Sequence, residues 1–237
     1  MVTLPRHDAP PAAQKPRLPR VFVVRHGETE WSISGQHTGR TDIPLTEKGE
    51  SMLRELGKRI VGPGKVLDPA HVQHVFVSPR SRAQKTFQLL FEEQGEKAPS
   101  FSLEEGVREW DYGVCEGKVT SQIRNELGEK WDIWTDGCPE GESPDEMRDR
   151  CDAMIKKIVD MADAHHGKEE TLGHHGDIVI VSHGHFSRCF MTRWCNLEIS
   201  QGRIFVADTG ALHKLGFQHR NFDERSLLGL NLYSVAD

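Results

Sequence analysis

A chain of 237 residues with 36% apolar side chains is long enough to bury a large core as one domain. Its formal net charge of −6 argues against a nucleic-acid-binding protein, and no apolar run is long enough for a membrane span. Five cysteines, without any Cys-x-x-Cys spacing, predict reduced thiols of a cytoplasmic protein rather than a disulfide framework or a zinc site.

The chain divides into a tail and one domain. Residues 1–19 are rich in Pro and Ala, lack the apolar segment of a secretory signal, and are predicted to form a flexible tail. Residues 20–237 are predicted to form a single domain, because no linker or internal repeat divides them. An irregular lobe rich in Gly and Trp, about residues 105–145, is embedded in this domain.

Three apolar, mostly β-branched segments predict buried strands, and each ends in arginine or histidine beside glycine or proline. These are 21–24 before Arg25-His26-Gly27, 74–77 before Ser78-Pro79-Arg80, and 177–181 before Ser182-His183-Gly184. Amphipathic helices are predicted at about 46–60, 81–93, 143–164 and 186–195, and further strands at 101–103, Val206, 212–217 and 228–232. The histidine-containing segment 165–175 is expected to be a solvated loop. Alternating strands and helices predict an α/β three-layer sandwich, with a mostly parallel central sheet flanked by helices.

The three strand ends predict a binding site. Parallel strands bring their carboxyl ends to one edge of a sheet, where ligands bind in open α/β folds. We therefore expect Arg25, His26, Arg80 and His183 to surround one anion. Phosphate suits such a group because guanidiniums bind its oxygens bidentately. The sequence shows neither a Gly-rich Lys-Ser/Thr loop nor an Asp cluster for Mg²⁺, which favours phosphoryl transfer without a metal or other cofactor.

That chemistry needs a nucleophile and a proton donor for the leaving alcohol. His26 is the candidate nucleophile, because a neutral imidazole is nucleophilic near neutral pH. The donor is expected to be a carboxyl group in the segment 103–113. The candidates are Glu104, Glu105, Glu109 and Asp111, and physical reasoning alone does not choose among them.

Taken together, the motifs resemble the histidine phosphatase superfamily, which has a phosphoglycerate-mutase-like fold. The similarity covers residues 20–217 and is carried by Arg25-His26-Gly27-Glu28-Thr29-Glu30-Trp31, Ser78-Pro79-Arg80, Arg108-Glu109-Trp110-Asp111-Tyr112-Gly113, Gly141-Glu142-Ser143 and Ser182-His183-Gly184. The resemblance implies a phosphohistidine on His26, with Glu109 as the acid–base residue. It also implies that Arg25, Arg80 and His183 hold the phosphoryl group, and that the pocket is lined by Ser32, Thr38, Gly39 and Gly184.

Two features separate this chain from the phosphoglycerate mutases of that superfamily. The segment from Gly113 to Gly141 is short, and Ser32 and His185 stand where those mutases commonly carry Asn. The segments 131–138, 183–188 and 218–224 resemble the fungal sedoheptulose-1,7-bisphosphatase branch. That resemblance implies contacts of His37, Tyr112, Arg188 and His219 with the sugar or its second phosphate. His37 departs from the Tyr expected in that branch.

The sequence thus predicts a metal-independent phosphatase that acts on a small sugar phosphate or bisphosphate. Alternatives are mutase-type phosphoryl transfer and a non-catalytic module that binds a phosphorylated ligand. Neither nucleic acid nor a membrane is an expected partner. The Leu-rich C-terminal strand either pairs across a homo-oligomer or completes the sheet. Trp110, Trp131 and Trp134 are expected to be core of the embedded lobe rather than a lid.

Overall fold

The computed structural model describes residues 17–233, apart from the side chains of residues 169 and 170. Its strands are β1 (Val21–Arg25), β2 (Val72–Val77), β3 (Phe101–Leu103), β4 (Asp177–Ser182), β5 (Leu212–Phe217) and β6 (Arg225–Leu232). Its α-helices are α1 (Glu30–Ser34), α2 (Glu47–Ile60), α3 (Ser81–Leu90), α4 (Thr120–Leu127), α5 (Ile133–Asp136), α6 (Pro144–His165), α7 (Glu169–Leu172) and α8 (Gly184–Trp194). Short 3-10 turns occur at Pro69–His71, Glu92–Lys97, Glu105–Val107, Gly113–Cys115 and Ile199–Ile204.

The six strands form one sheet in the order β3-β2-β4-β1-β5-β6. The first four in this order run parallel, whereas β5 runs antiparallel to β1 and β6 runs antiparallel to β5. Because β2, β4 and β1 are neighbours with one direction, their carboxyl ends share one edge of the sheet. The predicted α/β architecture with a mostly parallel sheet is confirmed.

Both faces of the sheet are covered by helices. Along β1, Val21 and Val23 pack into the core shared with α6 and α8, whereas Phe22 and Val24 pack into the core shared with α2 and α3. All four side chains are fully buried. Burial on both faces explains why these strands are continuously apolar rather than alternating, as is typical of parallel sheets.

The tryptophans of the segment 105–145 belong to the core. Trp110, Trp131 and Trp134 are buried in the same apolar cluster as α6 and α8. The indole N–H of Trp110 donates to the Glu142 carbonyl oxygen at 2.7 Å, so its polar atom is satisfied. Trp131 and Trp134 also line part of a cavity that is described below.

Two local expectations differ from the structure. Val206 is not part of a strand. It lies half-exposed in the segment between the last 3-10 turn and β5. Residues 167, 168 and 171–173 of the segment 165–175 are exposed as expected, but His165 is buried at the end of α6 and stacks on His174 with 4.5 Å between ring centroids. Within the described residues, no group of three or more ligand-type side chains could hold a metal ion.

The predicted tail falls mostly on residues 1–16, which lie outside the described residues. At its end, Arg17 donates two hydrogen bonds of 2.7 Å to the buried carboxylate of Asp177, and Leu18 is nearly buried. Residues 17–19 therefore pack on the domain rather than belonging to the tail. Within residues 17–233, no helix has the length and apolar character needed to cross a membrane.

Candidate active site

The carboxyl ends of β1 and β4 bring two imidazoles together. Arg25 is in register with Ser182, and the backbone N–H of His26 donates to the Ser182 carbonyl oxygen at 2.8 Å. The next residue on each strand is a histidine, so His26 and His183 lie side by side. Their ring centroids are 5.1 Å apart with an interplanar angle of 63°.

The hydrogen bonds of His26 fix its tautomer. Nδ1 lies 2.7 Å from the carbonyl oxygen of Gly27, which can only accept, so Nδ1 carries the proton. Burial, and then the charges of Arg82 and Arg25, lower the pKa of His26 well below its usual value. The ring is therefore neutral near pH 7, and its Nε2 keeps a free lone pair.

His183 is also neutral and is held on both nitrogens. Its Nδ1 accepts from Nε of Arg82 at 3.2 Å, and its Nε2 donates to the hydroxyl of Ser78 at 2.7 Å. Burial, followed by the charges of Arg82 and His26, lowers the pKa of His183 well below its usual value. Ser78, from the strand-end motif of β2, thus orients the second histidine.

Arg82 is the residue that the sequence analysis missed. It lies in the first turn of α3, is fully buried, and donates at 2.9 Å to the carbonyl oxygens of both Thr38 and Thr41. Arg80, which was expected in this place, is only half-buried and donates through Nε to the Gly39 carbonyl oxygen at 3.1 Å. Its charge affects the pKa of His183, but it is not a cause of the lowered pKa of His26.

The sequence does carry a signal for Arg82. In α3 it precedes Thr86 by four residues and Leu90 by eight, and all three side chains lie on the buried face of the helix. An arginine on an apolar helix face is rare unless it has a partner or a function. Thr86 contributes to the same region, because its hydroxyl accepts from the backbone N–H of Gly27 at 3.1 Å.

Arg25 is fixed against the backbone at the end of β1. One terminal nitrogen of its guanidinium donates to the Ala207 carbonyl oxygen at 2.7 Å, and its buried Nε has no partner among the described residues. A Cβ at Gly184 would lie 3.3 Å from Cζ and Nε of Arg25. Glycine at 184 therefore lets the first turn of α8 pack closely against this guanidinium.

Geometry selects Glu109 among the four candidate carboxyl groups. Its Oε1 accepts from the backbone N–H of Trp110 at 2.9 Å and of Phe186 at 2.8 Å, and its Oε2 accepts from that of His185 at 3.0 Å. Two of these donors belong to the first turn of α8, where the helix dipole favours a negative group. Glu109 also lines the cavity beside His26.

The other three carboxyl groups are placed differently. Glu104 forms an ion pair with Lys157, and Asp111 forms one with Arg40 at 2.5 Å. Glu105 is exposed. None of the three lines the cavity.

A cavity of about 590 Å³ opens above His26. Besides Arg25, His26 and Glu109, the predicted site residues in its wall are Ser32, His37, Thr38, Tyr112, Gly184 and Arg188. Arg188 lies over the ring of Trp134, 4.5 Å from its centroid, and donates to the Gly202 carbonyl oxygen at 3.1 Å. Gly39 is not in the wall; it lies behind it, and its carbonyl oxygen accepts from both Arg80 and Arg82.

His219 does not join the other predicted site residues. β5 runs antiparallel to β1, with Leu212 opposite Val24 and Leu215 opposite Val21, so the chain after β5 emerges at the opposite edge of the sheet. There the His219 side chain is 78% exposed and pairs with Glu224 at 2.5 Å. The expected contact of His219 with the substrate is therefore not supported by this chain's own fold.

An α/β sheet that presents two neutral imidazoles among arginines, beside a carboxylate, defines an enzyme of phosphoryl transfer. The chain belongs to the histidine phosphatase superfamily (branch 1), whose sequence profile matches residues 21–228. The similarity predicted from the motifs is thereby confirmed.

Named relatives cover most of the chain. It is 32% identical to the sedoheptulose 1,7-bisphosphatase of Saccharomyces cerevisiae, with 88% of this chain and 91% of the relative covered. It is 36% identical to an acid phosphatase of Mycobacterium tuberculosis, with 89% and 92% covered. A solved structure of an open reading frame product of M. tuberculosis matches with a TM-score of 0.72 at 33% identity, covering 90% of this chain and 97% of that one. The chain is thus a phosphoric monoester hydrolase whose substrate is a small phosphorylated molecule.

Proposed function

We propose that the chain is a metal-independent phosphatase that hydrolyses a sugar phosphate or bisphosphate, with sedoheptulose 1,7-bisphosphate as a model substrate. The observation that carries the proposal is the tautomer of His26, whose Nδ1–H is bound to Gly27 and whose Nε2 lone pair is free. Such a nitrogen attacks phosphorus without needing a separate base.

In the first step, Nε2 of His26 forms a bond to phosphorus as the bond between phosphorus and the leaving oxygen breaks. The guanidiniums of Arg25 and Arg82 balance the charge of the transferring oxygens, the role that metal ions fill in other phosphoryl-transfer enzymes. Arg82 takes the place that the sequence analysis gave to Arg80. Glu109 supplies the proton to the leaving alcohol as general acid.

In the second step, water attacks the phosphorus of phosphohistidine and His26 leaves. Glu109, now ionised, accepts the proton of that water as general base. Its fixed hydrogen bonds to Trp110, His185 and Phe186 support a role that requires the carboxylate to stay in one position. His183, held by Ser78 and Arg82, packs against the ring of His26 with 5.1 Å between centroids and supports the position of the nucleophile.

The size and lining of the cavity support a sugar substrate. A volume of about 590 Å³ far exceeds that of a phosphate group alone, and a 32% identical relative is named sedoheptulose 1,7-bisphosphatase. Arg188 lines the wall, where its charge would pair with a second phosphate. His37 and Tyr112 line the same wall and suit contacts with the sugar.

The test is phosphate release from sedoheptulose 1,7-bisphosphate, fructose 1,6-bisphosphate, sugar monophosphates and 3-phosphoglycerate, with EDTA present and His26→Ala as the control variant. We expect release from a sugar phosphate in EDTA and none with the variant. Loss of activity in EDTA, or full activity of the variant, would contradict the proposal. Conversion of 3-phosphoglycerate to its isomer with a bisphosphate primer, without phosphate release, would identify a mutase.

A further inference from the structure

Two histidines in the cavity wall, His185 and His37, differ in their hydrogen bonding: Nε2 is a donor in one ring and an acceptor in the other. Tyr112 is buried, and burial followed by the charge of Glu109 raises its pKa well above its usual value, so its hydroxyl keeps its proton. That hydroxyl lies 2.7 Å from Nδ1 of His185 and has no other acceptor within the described residues, so donation to this nitrogen is the bond that satisfies its proton. Burial, and then the charge of Arg188, lowers the pKa of His185 well below its usual value, so the ring is neutral. Its one proton is therefore on Nε2.

His37 has the other tautomer. Its Nδ1 lies 2.8 Å from the carbonyl oxygen of Lys118, which can only accept, so Nδ1 carries a proton. Burial is the largest cause that lowers the pKa of His37, which keeps this ring neutral as well. Its Nε2 is therefore a hydrogen-bond acceptor.

Both Nε2 atoms are accessible from the cavity. His37 and His185 line it, neither Nε2 takes part in a hydrogen bond within residues 17–233, and neither is among the buried polar atoms that lack a partner there. The two rings are nearly parallel, at 15°, with 5.9 Å between centroids. Tyr112 contacts both rings edge-on and holds them at this spacing.

We propose that His185 and His37 form a donor–acceptor pair that binds the hydroxyl groups of the substrate's carbon chain, and that His185 is a specificity-determining residue. A hydroxyl group both accepts and donates, so it can take the proton of His185 Nε2 while giving its own to His37 Nε2. Phosphate oxygens of a dianion only accept, and would leave His37 unsatisfied. This inference rests on the proposed phosphatase function and adds the chemical class of the leaving group, a polyol.

The spacing suits this assignment. The ring centroids lie 5.9 Å apart, and a hydrogen bond between a hydroxyl oxygen and a ring nitrogen spans about 2.9 Å, so neighbouring positions of one polyol chain can bind both rings. Trp134, whose ring centroid lies 5.2 Å from that of His185, adds an apolar surface beside the pair. Sugars present both hydroxyl groups and apolar C–H faces, and this wall matches both.

The experiment compares kcat/KM for sedoheptulose 1,7-bisphosphate with kcat/KM for p-nitrophenyl phosphate, whose leaving group has no such hydroxyl groups. We expect His185→Phe and His37→Phe each to lower the ratio of the two values by about tenfold, the usual effect of one hydrogen bond. His219→Phe, at the opposite edge of the sheet, is the matched control and should leave the ratio unchanged. An unchanged ratio in both cavity variants would overturn the inference.

A second readout does not depend on turnover. Two-bond ¹H–¹⁵N spectra of the histidine side chains report the tautomer of each ring, and we expect Nε2–H for His185 and Nδ1–H for His37. Tyr112→Phe removes the donor to Nδ1 of His185, so His185 should populate both tautomers while His37 keeps its proton on Nδ1. The opposite tautomers would overturn the inference while leaving the phosphatase function in place. If wild type cleaves neither ester and His26→Ala changes nothing, the proposed function itself fails.

Discussion

Nε of Arg82 lies 3.2 Å from Nδ1 of His183, and this contact ties the first turn of α3 to the carboxyl end of β4. The same guanidinium donates to the loop that follows α1 and is the leading charge that lowers the pKa of His26. Burial and then the charge of Arg82 lower the pKa of both imidazoles, and we propose that the same guanidinium supplies positive charge for phosphate. A protonated histidine would bind phosphate but would have no lone pair with which to attack phosphorus. Here the positive charge lies on a guanidinium, so the imidazole can stay neutral and nucleophilic.

Replacing Arg82 should damage catalysis more than replacing Arg80. Arg82→Ala removes a buried charge beside both histidines, and we expect kcat/KM to fall by about 10³-fold, typical of a lost transition-state electrostatic contact. Arg80→Ala should cost about tenfold, because that side chain is half-buried and bound to one carbonyl. Steady-state kinetics with circular dichroism as a folding check measures both. A larger effect from Arg80→Ala would restore the assignment made from the sequence.

Replacing Arg188 should weaken the binding of a sugar bisphosphate, whereas replacing His219 should not. Arg188→Ala removes a cation from the cavity wall, so KM for a sugar bisphosphate should rise by about tenfold or more, with a smaller change for a monophosphate. His219→Ala should leave both values unchanged, since His219 is exposed at the other edge of the sheet. A rise in KM with His219→Ala would show that a second copy of the chain brings this residue to the site.

Gly184→Ala should lower activity without lowering stability. Alanine is favoured over glycine in helices by up to about 1 kcal/mol, so α8 should not be weakened. The new Cβ would lie 3.3 Å from the Arg25 guanidinium and displace it by a few tenths of an ångström. We expect the melting temperature to be retained and kcat/KM to fall by about tenfold. Equal activity of variant and wild type would show that Arg25 tolerates this displacement.

His213 predicts how stability depends on pH. It is fully buried on β5, accepts from the backbone N–H of Asn231 at 3.0 Å, and burial lowers its pKa to about 4. Because the folded pKa lies below the unfolded value, the unfolded state binds more protons in acid. The contribution of neutral His213 to the free energy of unfolding is complete above about pH 6.5 and is lost as the pH falls towards 4. Its full value is about 3 kcal/mol.

Urea unfolding at several pH values checks this prediction. His213→Asn keeps an acceptor near Asn231 but does not titrate. Its free energy of unfolding should therefore fall less than that of wild type between pH 6.5 and 4.5. Parallel curves for the two proteins would show that His213 is protonated equally in both states.

Much of the fold was predictable because it depends on local patterns. Continuous β-branched runs such as 177–181 mark strands buried on both faces, and Ser143-Pro144 with Glu146 marks the start of α6, where the capping box is observed. Strand direction is not local. The sequence of β5 does not reveal that it runs antiparallel to β1. The contact of His219 was expected from the family resemblance alone, which does not show at which edge of the sheet the chain leaves β5.

The site was predictable where a residue directly follows a strand. His26 and His183 extend β1 and β4, so the register of those strands alone brings them together. Arg82 enters from a helix, and only its place on the buried face of α3 distinguishes it from Arg80. The opposite tautomers of His37 and His185 depend on contacts with Lys118 and Tyr112, which are distant in sequence and become evident only in three dimensions.

The central claim is that His26 carries the phosphoryl group between the two steps. Rapid acid-free quenching of the enzyme with a sugar bisphosphate, followed by mass spectrometry of alkaline-stable peptides, locates the modified residue. We predict phosphohistidine at His26, formed and lost at rates consistent with turnover. Turnover without any phosphorylated His26, or a label on another residue, would contradict the account.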